Sequence, residues 1–166
     1  MSADSTRLSS SNTSATLAIG VGGLVAGALD LTQACILFGP HIPLAIAAGL
    51  RGPKAFQGGV AYYALGVFLH FFIAMSVATV YYAASRRLTF MTEHPLVCGL
   101  LYGITVELVM SYIVLPLSAL RARGPYELHD VLLGLGVHMV VIGLPISYSV
   151  RRFGPARTAR ASGGGH

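Results

Sequence analysis

The chain has 166 residues, of which 54% are hydrophobic and only 10% are charged. Soluble globular domains carry about 25% charged residues, so this composition excludes an ordinary soluble domain. The net charge of +5 comes mainly from arginine. We attribute it to an arginine excess on the cytoplasmic side of a membrane, and we expect no nucleic acid as a partner.

Four apolar blocks account for most of the chain, and each has about the ~20 residues that a helix needs to cross ~30 Å of hydrocarbon. Backbone groups in lipid must pair within their own segment, so the blocks are predicted to be helices. The blocks are residues 17–38, 60–84, 96–115 and 131–150. The sequence therefore predicts an all-α fold, a four-transmembrane-helix antiparallel bundle over residues 17–150. Residues 1–16 and the basic, glycine-rich residues 151–166 are predicted to be disordered tails.

The loop after the first block predicts a short helix of its own. Residues 44–50 are apolar, follow Pro43 and are closed by Gly52-Pro53. Such a segment is typical of a helix lying at the membrane interface. Two roles stay open for it, a lid over the outer end of the bundle or a loop that simply packs on the bundle.

The third and fourth blocks each meet a proline. The third predicted helix ends at Pro116, while Pro145 lies inside the fourth and is expected to kink it. The loop 85–95 is short, so the second and third helices are predicted to be antiparallel neighbours.

The distribution of basic residues predicts the orientation. Seven arginines lie on the side that the termini share, and four basic residues lie on the other side. The first group is Arg7, Arg86, Arg87, Arg151, Arg152, Arg157 and Arg160, and the second is Arg51, Lys54, Arg121 and Arg123. The positive-inside rule then places both termini in the cytoplasm. The pairs Arg86-Arg87 and Arg151-Arg152 are predicted to contact lipid headgroups.

Each apolar block contains one ionisable residue well inside it. We call these residues the ionisable quartet: Asp30, His70, Glu107 and His138. Each lies seven to ten residues from the outer end of its block, which is roughly 10–15 Å at 1.5 Å per residue. The sequence therefore predicts that the quartet forms one buried polar layer. Ionisable residues in membrane spans are rare, and they are functional candidates by default.

Glycines share the helix faces of the quartet. Gly66, Gly103 and Gly134 each precede the ionisable residue of their block by four positions, and Gly27 precedes Asp30 by three. Small residues mark the faces where membrane helices approach closely. We therefore expect the quartet to point towards neighbouring helices and not towards lipid.

Several functions suit two carboxylates and two imidazoles in such a layer. They could form a hydrogen-bond network in a structural or accessory subunit, or handle protons, ions or a small polar ligand. They could also hold a divalent metal or haem b, with His70 and His138 as ligands and Arg51, Lys54, Arg121 and Arg123 near the haem propionates. Because no hydrolase motif occurs, no catalytic residue is predicted and an enzyme is the less favoured class.

Two segments carry a resemblance to known proteins. The first helix contains Gly27-Ala28-Leu29-Asp30, and the third opens with the run from His94-Pro95-Leu96 to Tyr102-Gly103. In these features the chain resembles small bacterial inner-membrane proteins of unknown function and is similar to the YagU-like group. The resemblance implies a multi-pass protein of the bacterial inner membrane. The expected partners are the lipid bilayer and further copies of the chain or a larger membrane complex.

Overall fold

A computed structural model describes residues 2–124 and 127–154 of the chain, with side chains from residue 13 onward. All regular structure within these ranges is helical. The helices are α1 (Ser2–Phe38), α2 (Ile42–Arg51), α3 (Gly59–Arg87), α4 (Phe90–Glu93), α5 (Pro95–Leu117) and α6 (Leu128–Phe153), with a 3₁₀ turn at Pro53–Gln57. The fold is therefore all-α, as the composition predicts.

Four of these helices are long and apolar enough to cross a membrane. They are α1 from Thr13 onward, α3, α5 and α6. Only 17–22% of the residues in the most apolar part of each span are buried, so large apolar side chains such as Leu24, Phe68 and Leu101 face outward. So much exposed apolar surface is unusual for a soluble monomer. The structure is therefore compatible with a multi-pass integral membrane protein.

The helix ends agree with the predicted blocks to within a few residues, except at the N-terminus. The helix α1 begins at Ser2, so the segment that was expected to be a disordered tail continues the first helix. At the other end, residues 151–153 belong to α6, and residues 155–166 of the predicted C-terminal tail lie outside the described residues.

The prediction that the third helix ends at Pro116 is wrong, whereas the kink expected at Pro145 stays a prediction. The helix α5 continues to Leu117, and a π-helical turn at Met110–Val114 comes just before the proline. In α6 a second π turn, His138–Gly143, precedes Pro145. A π turn bonds each carbonyl one residue further along, which relieves the clash and the missing N–H that proline brings to a regular helix.

Close backbone contacts at small residues hold the long helices together. On α1, Gly23 lies against Met75 of α3, and Gly27 lies against Phe71 and Ala74 of α3. On α5, Gly99 meets Gly143 of α6, where a Cβ on either glycine would overlap the other chain segment. The helix α1 also packs along α6, where the Ser149 hydroxyl donates to the Ala18 carbonyl at 2.9 Å.

The larger of two packed cores lies between the long helices. Tyr81, Ile146 and Val150 are its largest fully buried apolar side chains. The Tyr102 hydroxyl donates to the Val77 carbonyl at 2.7 Å, and its ring packs against that of Tyr81 with 4.9 Å between centroids. This core extends from the C-terminal ends of α3 and α6 to Val106 and Ile142 near the middle of α5 and α6, and a smaller core of Ala47, Ala48 and Ala55 packs at α2 and the 3₁₀ turn.

Candidate functional site: a cavity with two carboxylate–imidazole pairs

A cavity of about 900 Å³ lies between α1, α2, α3, α5 and α6, next to the packed core, whose residues Val106 and Ile142 form part of the cavity wall. Most of its wall is apolar, with side chains such as Phe38, Ile46, Phe72, Ile73 and Leu133. Its volume falls in the range of about 300–1,000 Å³ that is usual for sites of small organic ligands. The cavity therefore is large enough to hold such a molecule.

All four members of the ionisable quartet line this one cavity. The exposed fraction of their side chains is 17% for Asp30, 12% for His70, 13% for Glu107 and 20% for His138. The quartet is therefore partly buried on a cavity wall, and it is not sealed inside helix–helix contacts as a fully buried layer would be. This position allows the four groups to reach a ligand or water inside the cavity.

Glu107 and His138 form the tighter of two carboxylate–imidazole pairs and join α5 to α6. The distance from His138 Nδ1 to Glu107 Oε2 is 3.0 Å, and Nδ1 is also 3.0 Å from the Gly134 carbonyl oxygen. That carbonyl can only accept, so Nδ1 carries a hydrogen and donates. The other carboxylate oxygen, Oε1, accepts a 2.8 Å hydrogen bond from the Ser111 hydroxyl. The carboxylate is thus oriented from two sides.

Asp30 and His70 form a looser pair between α1 and α3. His70 Nε2 lies 2.8 Å from the Gly27 carbonyl oxygen, to which it donates, and 3.9 Å from Asp30 Oδ2. The longer distance is too great for a direct hydrogen bond, so the interaction with Asp30 is electrostatic only. Both pairs lie on the wall of the same cavity.

The glycines near the quartet have three different tasks. A Cβ at Gly134 would lie 2.8 Å from Glu107 Oε1, so the missing side chain makes room for the carboxylate. A Cβ at Gly103 would overlap the backbone of His138, so this glycine brings α5 against α6. Gly66 differs from the expectation, because it makes room for the backbone of Pro43 in α2 and not for a membrane-spanning neighbour.

Ser111 is a site residue that the sequence analysis did not single out. It lies four residues after Glu107, on the same helix face, and its hydroxyl is within reach of the carboxylate. The four-residue spacing between Glu107 and Ser111 could therefore have indicated this contact. What the spacing could not show is that Ser111 lies in one π turn and His138 begins the other. Such turns frequently occur at functional sites.

The short helix α2 forms part of the cavity wall through Ala45, Ile46, Gly49 and Leu50. It packs on α3, where its Pro43 meets Gly66, and the Gly49 carbonyl accepts a 2.7 Å hydrogen bond from the Ala119 backbone N–H. It therefore links α3 to the segment that follows α5. The packing role is thus observed, and the role of α2 as a lid stays a prediction.

The residues present give little support for haem or a divalent metal. Among the side chains described, those of residues 13–124 and 127–154, no group of three or more His, Cys, Asp or Glu residues is placed to hold a metal ion. The four basic residues expected near haem propionates do not line the cavity. They are Arg51, Lys54, Arg121 and Arg123.

The predicted headgroup arginines occupy the ends of two long helices. Arg86 and Arg87 lie in the last turn of α3, and Arg151 and Arg152 lie in the last turn of α6. All four are exposed. Their position is suitable for contact with anionic headgroups, and that contact stays a prediction.

Comparison of the chain with protein-family models, with curated proteins and with solved structures gives no match. The resemblance to YagU-like proteins therefore stays a prediction.

Proposed function

We propose that this chain is an integral protein of the bacterial inner membrane, whose four long helices cross the bilayer in alternating directions with both termini in the cytoplasm. The order of contacts supports the alternation. Towards the C-terminal end of α1, Gly23 contacts Met75 and Gly27 contacts Phe71. The residue numbers of the contacts therefore fall along α3 as they rise along α1, as in antiparallel helices. Between α5 and α6, Gly99 meets Gly143 and Gly103 meets His138.

We infer that the protein binds a small ligand in its cavity and that the ionisable quartet exchanges protons with water as the ligand binds. The single observation that carries this proposal is the placement of two carboxylate–imidazole pairs on the wall of one cavity of about 900 Å³. An isolated charge in such an apolar place is costly. A carboxylate and an imidazole together can gain or lose a proton while keeping a partner for the remaining charge.

The shape of the assembly favours ligand binding over an open channel. The helices α5 and α6 are in close contact through Gly99, Gly103 and Gly143. This contact begins at the level of His138 and continues away from the outer loops. Tyr81 fills the core between these two helices and α3. We therefore expect protein in liposomes to show no proton flux above that of empty liposomes when a pH gradient is imposed without ligand. A large flux from the protein alone, lost in Glu107→Gln, would favour a proton channel instead.

Infrared titration of the purified protein tests proton exchange without any added ligand. We expect Asp30→Asn and Glu107→Gln each to remove a carboxyl C=O band that differs from the bands of solvated carboxyl groups. Glu127→Gln is the matched control, because Glu127 is exposed and does not line the cavity. If Asp30 and Glu107 do not change protonation over the pH range in which the protein stays folded, the proposal is wrong.

A structural role in a larger membrane complex is the second candidate, and one observation favours it. The quartet links helices in pairs, since His70 bonds α3 to α1 and Glu107 bonds α5 to α6. In that case a double replacement of Glu107 and His138 by leucine should leave the fold intact, because replacing a buried ion pair by apolar residues is often neutral or stabilising. Under this alternative, Asp30→Asn and Glu107→Gln would change only thermal stability.

A further inference from the structure

We propose that the ligand of the cavity is a hydrophobic organic cation, a positively charged group that carries apolar substituents. This inference rests on the proposed function and names the chemical class of its ligand. The probe for it is the tetraphenylphosphonium ion, a compact cation that is smaller than the cavity.

The charge of the cavity wall favours a cation over an anion. Three carboxyl groups line the cavity, those of Asp30, Glu107 and Asp130, together with the imidazoles of His70 and His138. Among the described lining residues there is no Lys or Arg. With the carboxyl groups ionised, the wall carries a charge between −3 and −1 according to the state of the two imidazoles. An anionic ligand would meet repulsion in every one of these states.

Asp130 contributes less to this field than the other two acids. Its side chain is 64% exposed and lies 3.3 Å from His129 at the end of the cavity, so solvent screens its charge. The partly buried carboxylates of Asp30 and Glu107 are screened much less. We therefore place the charged centre of the ligand between Asp30 and Glu107.

The rest of the wall matches apolar substituents. Phe38 and Phe72 offer aromatic rings, and Ile46, Ile73 and Leu133 offer aliphatic surface. Aromatic faces attract cations from which water has been removed. A small hydrated metal ion would leave this apolar wall without a partner, whereas an organic cation with apolar groups would cover it.

Protons compete with such a cation for the same carboxylates. The titratable groups that face the charged centre are Asp30, His70, Glu107, His138 and, at the edge, Asp130. A proton on either partly buried carboxyl group removes the negative charge that would hold the cation, so that proton leaves for water as the cation enters. Binding should therefore release protons and weaken as the pH falls.

The experiment measures binding of tetraphenylphosphonium to the full chain in neutral maltoside micelles by equilibrium dialysis, with protein-free micelles as the blank. Tetraphenylborate has nearly the same shape and the opposite charge, so it is the matched probe. We expect saturable binding of the cation and no saturable binding of the anion. Equal binding of both ions would show an apolar pocket for lipid chains or detergent and would overturn the proposal.

Variants then locate the cation. Asp30→Asn and Glu107→Gln should each weaken tetraphenylphosphonium binding at least about tenfold, as expected for loss of a partly buried charge partner. Glu127→Gln, outside the cavity, should bind like the unmodified protein. If both cavity variants elute as folded protein and bind the cation unchanged, the proposal is wrong. The comparison of the two probes needs no variant, so it decides the question even if a variant fails to fold.

Two failures remain distinguishable. If the infrared titration shows that Asp30 and Glu107 exchange protons but tetraphenylphosphonium does not bind, only the ligand class is wrong. If neither carboxyl group titrates and the cation does not bind, the proposed function fails as well.

Discussion

Glu107 and His138 meet at a 3.0 Å contact between Oε2 and Nδ1, at the place where α6 has a glycine, Gly134, one turn before the histidine. The carboxylate occupies the space that a side chain at residue 134 would fill. The carbonyl of the same glycine accepts a hydrogen bond from His138 Nδ1. One residue without a side chain therefore positions both partners of the pair.

Gly134→Ala should disturb this pair directly. The added Cβ would lie 2.8 Å from Glu107 Oε1, the end of a flexible side chain, so the carboxylate must move but can do so at a cost of about 1 kcal/mol or less in unfolding free energy. The infrared band of Glu107 should shift as well. Gly136→Ala is the control on the same helix, since a Cβ there has no described atom within 4 Å. If the two variants behave alike, Gly134 does not position the pair.

Gly103→Ala should weaken the contact between α5 and α6 through the backbone, because the nearest atoms to the added Cβ are backbone atoms and not cavity side chains. Its Cβ would overlap the backbone at His138 and Met139, and backbone cannot yield as a flexible side chain can. We expect a loss of about 1–3 kcal/mol in reversible unfolding in mixed micelles. Gly20→Ala, on α1 with open space around it, should be neutral or slightly stabilising. An unchanged stability in Gly103→Ala would contradict the close approach of these helices.

Tyr102→Phe should remove the hydrogen bond that links α5 to α3. The hydroxyl donates to the Val77 carbonyl at 2.7 Å, and its loss should cost about 1 kcal/mol in unfolding free energy. Tyr148→Phe is a suitable comparison because that side chain is 47% exposed. A loss in Tyr148→Phe as large as that in Tyr102→Phe would argue against the interhelical bond.

A disulfide can test whether α2 moves to admit the ligand. A Cβ at Gly49 would lie 3.8 Å from Ser118 Cβ, the usual separation across a disulfide. We expect the pair Gly49→Cys and Ser118→Cys, with Cys35 and Cys98 replaced by alanine, to oxidise readily. Oxidation should slow the exchange of bound tetraphenylphosphonium, and reduction should restore it. Equal exchange rates in both forms would show that α2 is a fixed wall.

Cysteine labelling tests the orientation in the membrane. In the same cysteine-free background, Arg87→Cys and Arg151→Cys should react with an impermeant maleimide only after the membrane is opened, because both are expected in the cytoplasm. Lys54→Cys and Arg123→Cys should react in intact cells. The reverse labelling pattern would agree with the fold but would mean that the protein has the opposite orientation in the membrane. Reaction of Arg87→Cys and Lys54→Cys from one side would contradict the four crossings.

The sequence was sufficient for the helices and insufficient for their details. The apolar block 17–38 and the short segment closed by Gly52-Pro53 predicted C-terminal ends that agree with those of α1 and α2 to within a few residues. Pro116 misled the prediction, because proline usually ends a helix and only the neighbouring π turn explains why α5 continues. Local patterns do not reveal such a turn, since the backbone adopts it in response to packing.

What the sequence determined by itself is that four segments are helical and that each carries one ionisable group at a similar distance from its outer end. The reason is physical: a helix is the structure in which a lipid-exposed segment satisfies its own backbone, and its rise per residue sets the depth. Only the tertiary structure decided that Glu107 faces His138 at 3.0 Å while Asp30 stands 3.9 Å from His70. Partner choice depends on how each helix is rotated and how closely its glycines let it approach, and these depend on all neighbours at once. The same packing left a cavity beside the pairs, which no single helix could specify.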